Sequence, residues 1–160
     1  CHERGVKLIL DLPINHTSTQ NLWFKRFLNA HRMQNTMSAY YDFYTWIPEG
    51  ESWPAGRRFT KGYGTDVYYE SNFSESMPEL NFDAPQVRQE LLDVAKFYLE
   101  LGVDGFRFDA AKYIYLGDNA ASSDFWTWYI GQLKAVKPDL YTVAEVWDSD
   151  GIIEKYSERL

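Results

Sequence analysis

An α/β fold built on a parallel sheet, with an irregular subdomain inserted after the first strand, is what the sequence predicts. Three observations carry this. Short apolar runs alternate with amphipathic helical stretches in the order strand, insertion, helix, strand, helix, strand, helix. Such alternation implies parallel strands joined by right-handed crossovers. A long aromatic stretch broken by Gly and Pro interrupts the pattern early, and each strand-like run ends in ionisable residues.

The first run, Val6 to Leu12, follows Gly5 and reads as a strand buried on both faces. The residues before Gly5 read as the last turn of a helix, so the chain opens in mid-element, as if part of something longer. A short helix is predicted over Gln20 to Met33, with Ser18 or Thr19 as its N-cap. The stretch that follows contains Tyr40, Tyr41, Phe43, Tyr44, Trp46, Trp53, Phe59, Tyr63, Tyr68, Tyr69 and Phe73. A structureless loop of that length is improbable in a compact domain, so it reads as a small irregular subdomain.

Asp83 to Leu101 is the clearest helix. Asp83 and Gln86 form a capping-box pattern, Pro85 stands in the first turn, and Val87, Leu91, Val94, Ala95 and Tyr98 make one apolar stripe. Gly102 stops it. Val103 to Asp109 is the second strand, Ser122 to Lys137 the next helix, Leu140 to Trp147 the third strand, and Gly151 to Leu160 the start of another helix. No Gly-rich phosphate loop follows any strand, which argues against a nucleotide-binding sheet.

The net charge of −7 disfavours a nucleic-acid partner and is compatible with a neutral one. No apolar run is long enough to cross a bilayer, so no membrane partner is expected. The single cysteine, Cys1, leaves the cellular compartment open. Aromatic residues make up 18% of the chain, enough for a large core and for rings that stack on sugars.

The chemistry gathers at the strand ends. The first run ends in Asp11, Asn15 and His16, the second in Arg107 and Asp109, the third in Glu145. In parallel barrels the C-terminal strand ends form the active face. Side chains alternate along a strand, so Arg107 and Asp109 share one face while Phe106 and Phe108 take the other, under the helices. The same parity puts Glu145 and Trp147 together. For Arg107 with Asp11 alone, an ordinary ion pair is the simpler reading. Two carboxylates on adjacent strand ends are different, because they repel each other. One is expected to stay ionised beside Arg107 and the other to shift toward its protonated form, which supplies a nucleophile and a general acid. His2 and His31 lie outside any such constellation.

At this point the residues match a known pattern. Asp11-Leu-Pro-Ile-Asn15-His16, Gly105-Phe-Arg107-Phe-Asp109-Ala-Ala-Lys112 and Ala144-Glu145-Val-Trp147, with Met77-Pro-Glu79-Leu-Asn81 between, resemble the ordered segments of the α-amylase family of glycoside hydrolases. The resemblance implies a partial (β/α)8 TIM barrel. Residues 1–16 would be the third barrel strand region, 17–76 the inserted B subdomain, and 77–160 the run from the third barrel helix to the start of the fifth. It implies hydrolysis or transfer at α-glucosidic bonds of starch-type oligosaccharides or polysaccharides by a retaining mechanism. Asp109 would be the nucleophile, Glu145 the general acid/base, and Asp11 a structural partner of Arg107. His16, Arg107, Lys112, Tyr113 and Trp147 would contact substrate. No cofactor is required, and Asn15 corresponds to a calcium ligand in many relatives. Tyr113 stands where family members commonly have His, and Glu79 where they have Asp. The family's fourth segment, with its third catalytic Asp, has no counterpart in these 160 residues, so this piece alone is expected to be inactive. Two rival readings differ in class. One is an enolase-type barrel using Asp11, Asp109 and Glu145 on a divalent metal, which Arg107 beside Asp109 disfavours. The other is an inactive relative that only binds sugar.

Overall fold

The computed structural model describes residues 1–157. The predicted last helix is present as α4, Asp150–Ser157; its expected continuation to Leu160 lies outside the described residues. The other regular elements are β1 (Ile9–Asp11), α1 (Leu22–Arg32), β2 (Trp46–Pro48), β3 (Phe59–Lys61), β4 (Val67–Glu70), α2 (Pro85–Glu100), β5 (Gly105–Phe108), α3 (Asn119–Val136) and β6 (Tyr141–Ala144). They form two compact units, residues 1–15 with 89–160, and residues 16–88.

The first unit holds a three-stranded parallel sheet in the order β1-β5-β6. The expected strand order and direction are therefore present. Its register sets Asp11 beside Arg107 and Arg107 beside Val143. Gly105 is required where β5 meets β6, because a Cβ there would overlap the Tyr141 carbonyl oxygen. Phe106 and Phe108 are fully buried, and Phe108 packs on Trp126 and Tyr129 of α3 at ring distances of 4.7 and 5.9 Å. Tyr129 also donates its hydroxyl to the Leu91 carbonyl of α2 at 2.8 Å, which satisfies a polar atom inside the core.

The strands are shorter than the apolar runs suggest, and β1 is not buried on both faces: Val6, Leu8 and Ile9 are exposed. The reason is position. β1 is an edge strand with β5 as its one neighbour, and β6, the other edge, exposes Tyr141 and Val143. At the opposite end of these strands Asp104, 7% exposed, accepts from His2, Lys7 and the Leu8 amide. Those bonds hold its carboxyl well below the usual carboxylate range, the Leu8 amide contributing most.

Two helices start away from where the sequence places their starts. Ser18 bonds the Gln20 amide one turn early, so α1 is capped by Asn21, whose side chain accepts from Trp23 N at 2.8 Å. Asp118 caps α3 through the Ala121 amide, and Ser122 lies inside the helix, donating back to the Tyr115 carbonyl.

The second unit is built on rings. Phe24 and Phe27 of α1 meet Tyr44 at 5.2 and 5.4 Å, and Phe24 meets Tyr69 of β4 at 4.8 Å. The stretch read as irregular contains an antiparallel sheet, β2-β4-β3, whose three- and four-residue strands are too short to show a period. Two carboxylates are buried in this unit. Glu70 is paired in a fork with Arg57 at 2.6 and 2.5 Å. Glu79 is 3% exposed and its Oε1 has no partner. Burial first, and the nearby Glu70 second, raise its pKa to about 8.

A group protonated in the folded chain to about pH 8 but released near 4.5 when unfolded makes the folded state bind more protons across that window. The stability that Glu79 contributes therefore falls as pH rises from about 5 to 8. Glu79→Gln should remove this slope, gaining on the order of 2–4 kcal/mol over the native chain at pH 8 relative to pH 5. Urea unfolding at the two pH values measures it, and parallel pH slopes for the two proteins would refute it.

Candidate active site

Parity along β5 and the turn after it create the site. Arg107 points away from the phenylalanine face, at a position flanked by β1 and β6. Its Nη1 donates to Asp11 Oδ1 at 2.6 Å. Its Nη2 donates to both Asp109 Oδ1, at 3.0 Å, and Glu145 Oε2, at 2.7 Å. One guanidinium thus gathers an acid from the end of each strand.

The backbone fixes Asp109 and Glu145. Directly after Asp109 the chain passes through Ala110 in the left-handed region, φ 48° and ψ 44°. That conformation costs a residue with a Cβ roughly 1–2 kcal/mol, and it folds the chain into a 3-10 turn at Ala111–Tyr113. The Ala111 amide then donates to the Glu145 carbonyl at 3.1 Å, while the Glu145 amide donates to the Phe108 carbonyl at 2.9 Å. Trp126, fully buried in α3, holds the turn from below through a 2.8 Å bond to the Ala111 carbonyl.

Asp109 and Glu145 also influence each other, and their pKa values shift in opposite directions. The hydrogen bond to Glu145, then burial, raises the Asp109 pKa; Arg107 opposes the rise. Glu145 is lowered, first by the bond from Asp109 and then by the Trp147 indole. Within this pair the shifts run in opposite directions, Asp109 toward its neutral form and Glu145 toward its anion. Glu145 accepts two further donors, Arg107 at 2.7 Å and Trp147 Nε1 at 2.7 Å.

The remaining candidates fall as follows. Lys112, in the turn, donates to Asp148 Oδ2 at 2.5 Å and to the Trp147 carbonyl at 3.3 Å. Asp148 was not among the residues singled out from sequence; its signal would have been an acid placed three residues after Glu145. Tyr113 is half-buried in the same turn. Trp147 is 80% exposed. Asn15 is fully buried with both amide atoms unpartnered. His16 belongs to the second unit, where it bridges to Glu79 and packs on Phe73 at 5.7 Å; burial lowers its pKa and its Nδ1 lacks a partner. Among the described residues no three His, Cys, Asp or Glu side chains form a metal-holding group, and no helix is long and apolar enough to cross a membrane.

Removing Arg107 should expose three acids to one another. Arg107→Met is expected to destabilise the protein most near pH 8, where the Asp109 and Glu145 anions would repel each other, with the deficit closing toward pH 4 as that pair takes up protons. Urea midpoints at the two pH values test this; a deficit independent of pH would mean that Arg107 acts by packing alone.

A family model for the alpha amylase catalytic domain matches residues 1–159. Alpha-amylase 3 of Dictyoglomus thermophilum is 42% identical over 99% of this chain and 30% of its own length. Oligo-1,6-glucosidase of Bacillus cereus is 38% identical over 71% of this chain and 21% of its own. Among solved structures, Eubacterium rectale Amy13B superposes with a TM-score of 0.87 at 34% identity, covering 99% of this chain and 31% of that one. The chain spans about a third or less of the length of these relatives.

Proposed function

The chain belongs to the α-amylase catalytic-domain family, and on that premise we propose that the protein it forms part of cleaves α-glucosidic bonds of starch-type oligosaccharides or polysaccharides with retention of configuration. The observation that carries this reading is the pair Asp109 and Glu145 held by one nitrogen of Arg107. A shared donor keeps two carboxyl groups near each other. Retaining enzymes hold theirs about 5–5.5 Å apart, and inverting enzymes leave about 6.5–9.5 Å for a water.

In this mechanism Glu145 gives its proton to the glycosidic oxygen as the bond breaks. Asp109 attacks the anomeric carbon and forms a glycosyl-enzyme ester. Water then adds with Glu145 as base, and the ester bond breaks to restore Asp109. Glu145 must therefore carry a proton, and Asp109 none, when sugar is bound. Arg107 holds Asp109 in line and favours its anion. Asp11 keeps Arg107 oriented. His16, Lys112, Tyr113 and Trp147 are read as the sugar-facing set. The barrel would be completed by the longer protein, with 17–76 as its inserted subdomain.

Calcium fits one feature here. Asn15 Oδ1 is buried without a partner, the condition of an oxygen suited to a hard cation. Asn15 would hold the ion, whose role would be to fix the chain after β1. No step of the reaction passes through it.

In the full-length protein Asp109→Asn should lower kcat on maltooligosaccharides by about four orders of magnitude or more while binding persists, because the amide keeps the shape and lacks the nucleophile. Glu145→Gln should lose about 10²–10⁴-fold on the same substrates and recover most with activated aryl α-glucosides, which need little protonation. Near-native turnover of maltooligosaccharide by either variant would remove its assigned role.

The 160 residues alone should not turn over substrate. Two sheet edges, with Val6, Leu8, Ile9, Tyr141 and Val143 exposed, leave the strands to associate with other molecules instead of holding catalytic groups in place. The purified piece is assayed on maltooligosaccharide and an aryl α-glucoside with its Asp109→Asn form as blank. Turnover above that blank would overturn the expectation.

A further inference from the structure

We propose that Trp147 is a positioning residue for Glu145: its indole N–H occupies the carboxylate oxygen that must take up the proton, and a Lys112–Asp148 clasp presents it there. The proposal rests on the reading of Glu145 as acid/base. Glu145 divides its two oxygens between two donors. Oε2 accepts from Arg107 and Oε1 from Trp147 Nε1, each at 2.7 Å. The two donors differ in how firmly they are held. Arg107 is tied to Asp11 and Asp109 as well and cannot leave without stranding them. The Trp147 ring is 80% exposed, so little packing holds it in place.

What places the ring is the backbone beneath it. The Lys112 ammonium donates to Asp148 Oδ2 at 2.5 Å and to the Trp147 carbonyl at 3.3 Å, and the side chains of that ion pair are only 24% and 26% exposed. Lys112 belongs to the same turn whose Ala111 amide donates to the Glu145 carbonyl. The loop bearing Glu145 and Trp147 is therefore laced to the turn after Asp109 at two points. The clasp consumes the charge of Lys112 and Asp148 against each other, leaving Arg107 and Asp109 as the charged groups that face Glu145, with Asp11 acting through Arg107.

A protonated Glu145 needs one oxygen free of an N–H donor. Oε1 is that oxygen, because its donor is neutral, exposed and able to move. A pyranose ring stacking on the indole face competes with the Trp147–Glu145 bond. Its arrival would free Oε1 for the proton that Glu145 carries as acid, while Arg107 stays on Asp109, the group that attacks. Substrate entry and arming of the acid are in this way one event.

The test uses the full-length protein and Trp147→Phe, which keeps a ring and deletes the donor. The Glu145 carboxyl is followed by ¹³C NMR titration, assigned with Glu145→Gln, beside the pH profile of kcat/KM on an aryl α-maltoside. Glu145 should titrate at higher pH in Trp147→Phe. On the alkaline side of the native optimum, kcat/KM relative to its own maximum should rise roughly fivefold, the equivalent of one hydrogen bond of about 1 kcal/mol, with KM changed less than about twofold. Lys112→Met and Asp148→Asn should move both readouts the same way by less, and exchanging the two charges in K112D/D148K should restore them. An unchanged Glu145 titration in Trp147→Phe, with KM raised instead, would overturn the proposal and leave Trp147 a sugar platform. If the native protein fails to cleave α-glucosides, the carboxyl titration still decides this proposal, and the failure belongs to the functional reading.

Discussion

Three carboxylates converge on one guanidinium. Asp11, Asp109 and Glu145 each come from the end of a different strand, and Arg107 donates to all three. One positive charge cannot neutralise three negative ones, so the acids oppose one another's ionisation. Glu145 accepts from Arg107 and Trp147 and is shifted toward its anion, while its contact shifts Asp109 toward the neutral form.

The cluster depends on a backbone that sets it in place. In β5 the alternation of Phe106 and Phe108 with Arg107 and Asp109 turns one face into core and the other into site. The left-handed Ala110 ends the strand abruptly, so the chain turns back in time for Ala111 to bond the Glu145 carbonyl. The strain at Ala110 is offset by what the turn secures. The Trp126 indole and the Lys112–Asp148 pair then fix it from two sides. Short connections from a rigid strand position such groups more tightly than a free loop does.

The second unit solves a different problem. Its strands are three or four residues long and could not stand alone, so interlocking rings from α1, Tyr44 and β4 supply the core. Within it Glu70 and Glu79 are both buried, and Arg57 has its fork committed to Glu70. Glu79 therefore stays protonated far above its ordinary range.

The sequence by itself determined the parallel sheet, the helices that alternate with its strands, and the segregation of Arg107, Asp109 and Glu145 from the phenylalanines. These are local patterns, with a period of two along a strand and a stripe along a helix, and they survive without knowledge of the partner. The family segments added which acid would play which role. Tertiary structure alone decided the rest. It chose Asn21 over Ser18 because Ser18 was already bonded one turn earlier, and it made a sheet of an aromatic stretch whose strands are too short to show a period. It joined Lys112 to Asp148 and Trp147 to Glu145. Each of these is set by which donors reach which oxygens across strands distant in sequence. A chain's local pattern can say which way a side chain points, but not how many partners will meet it there.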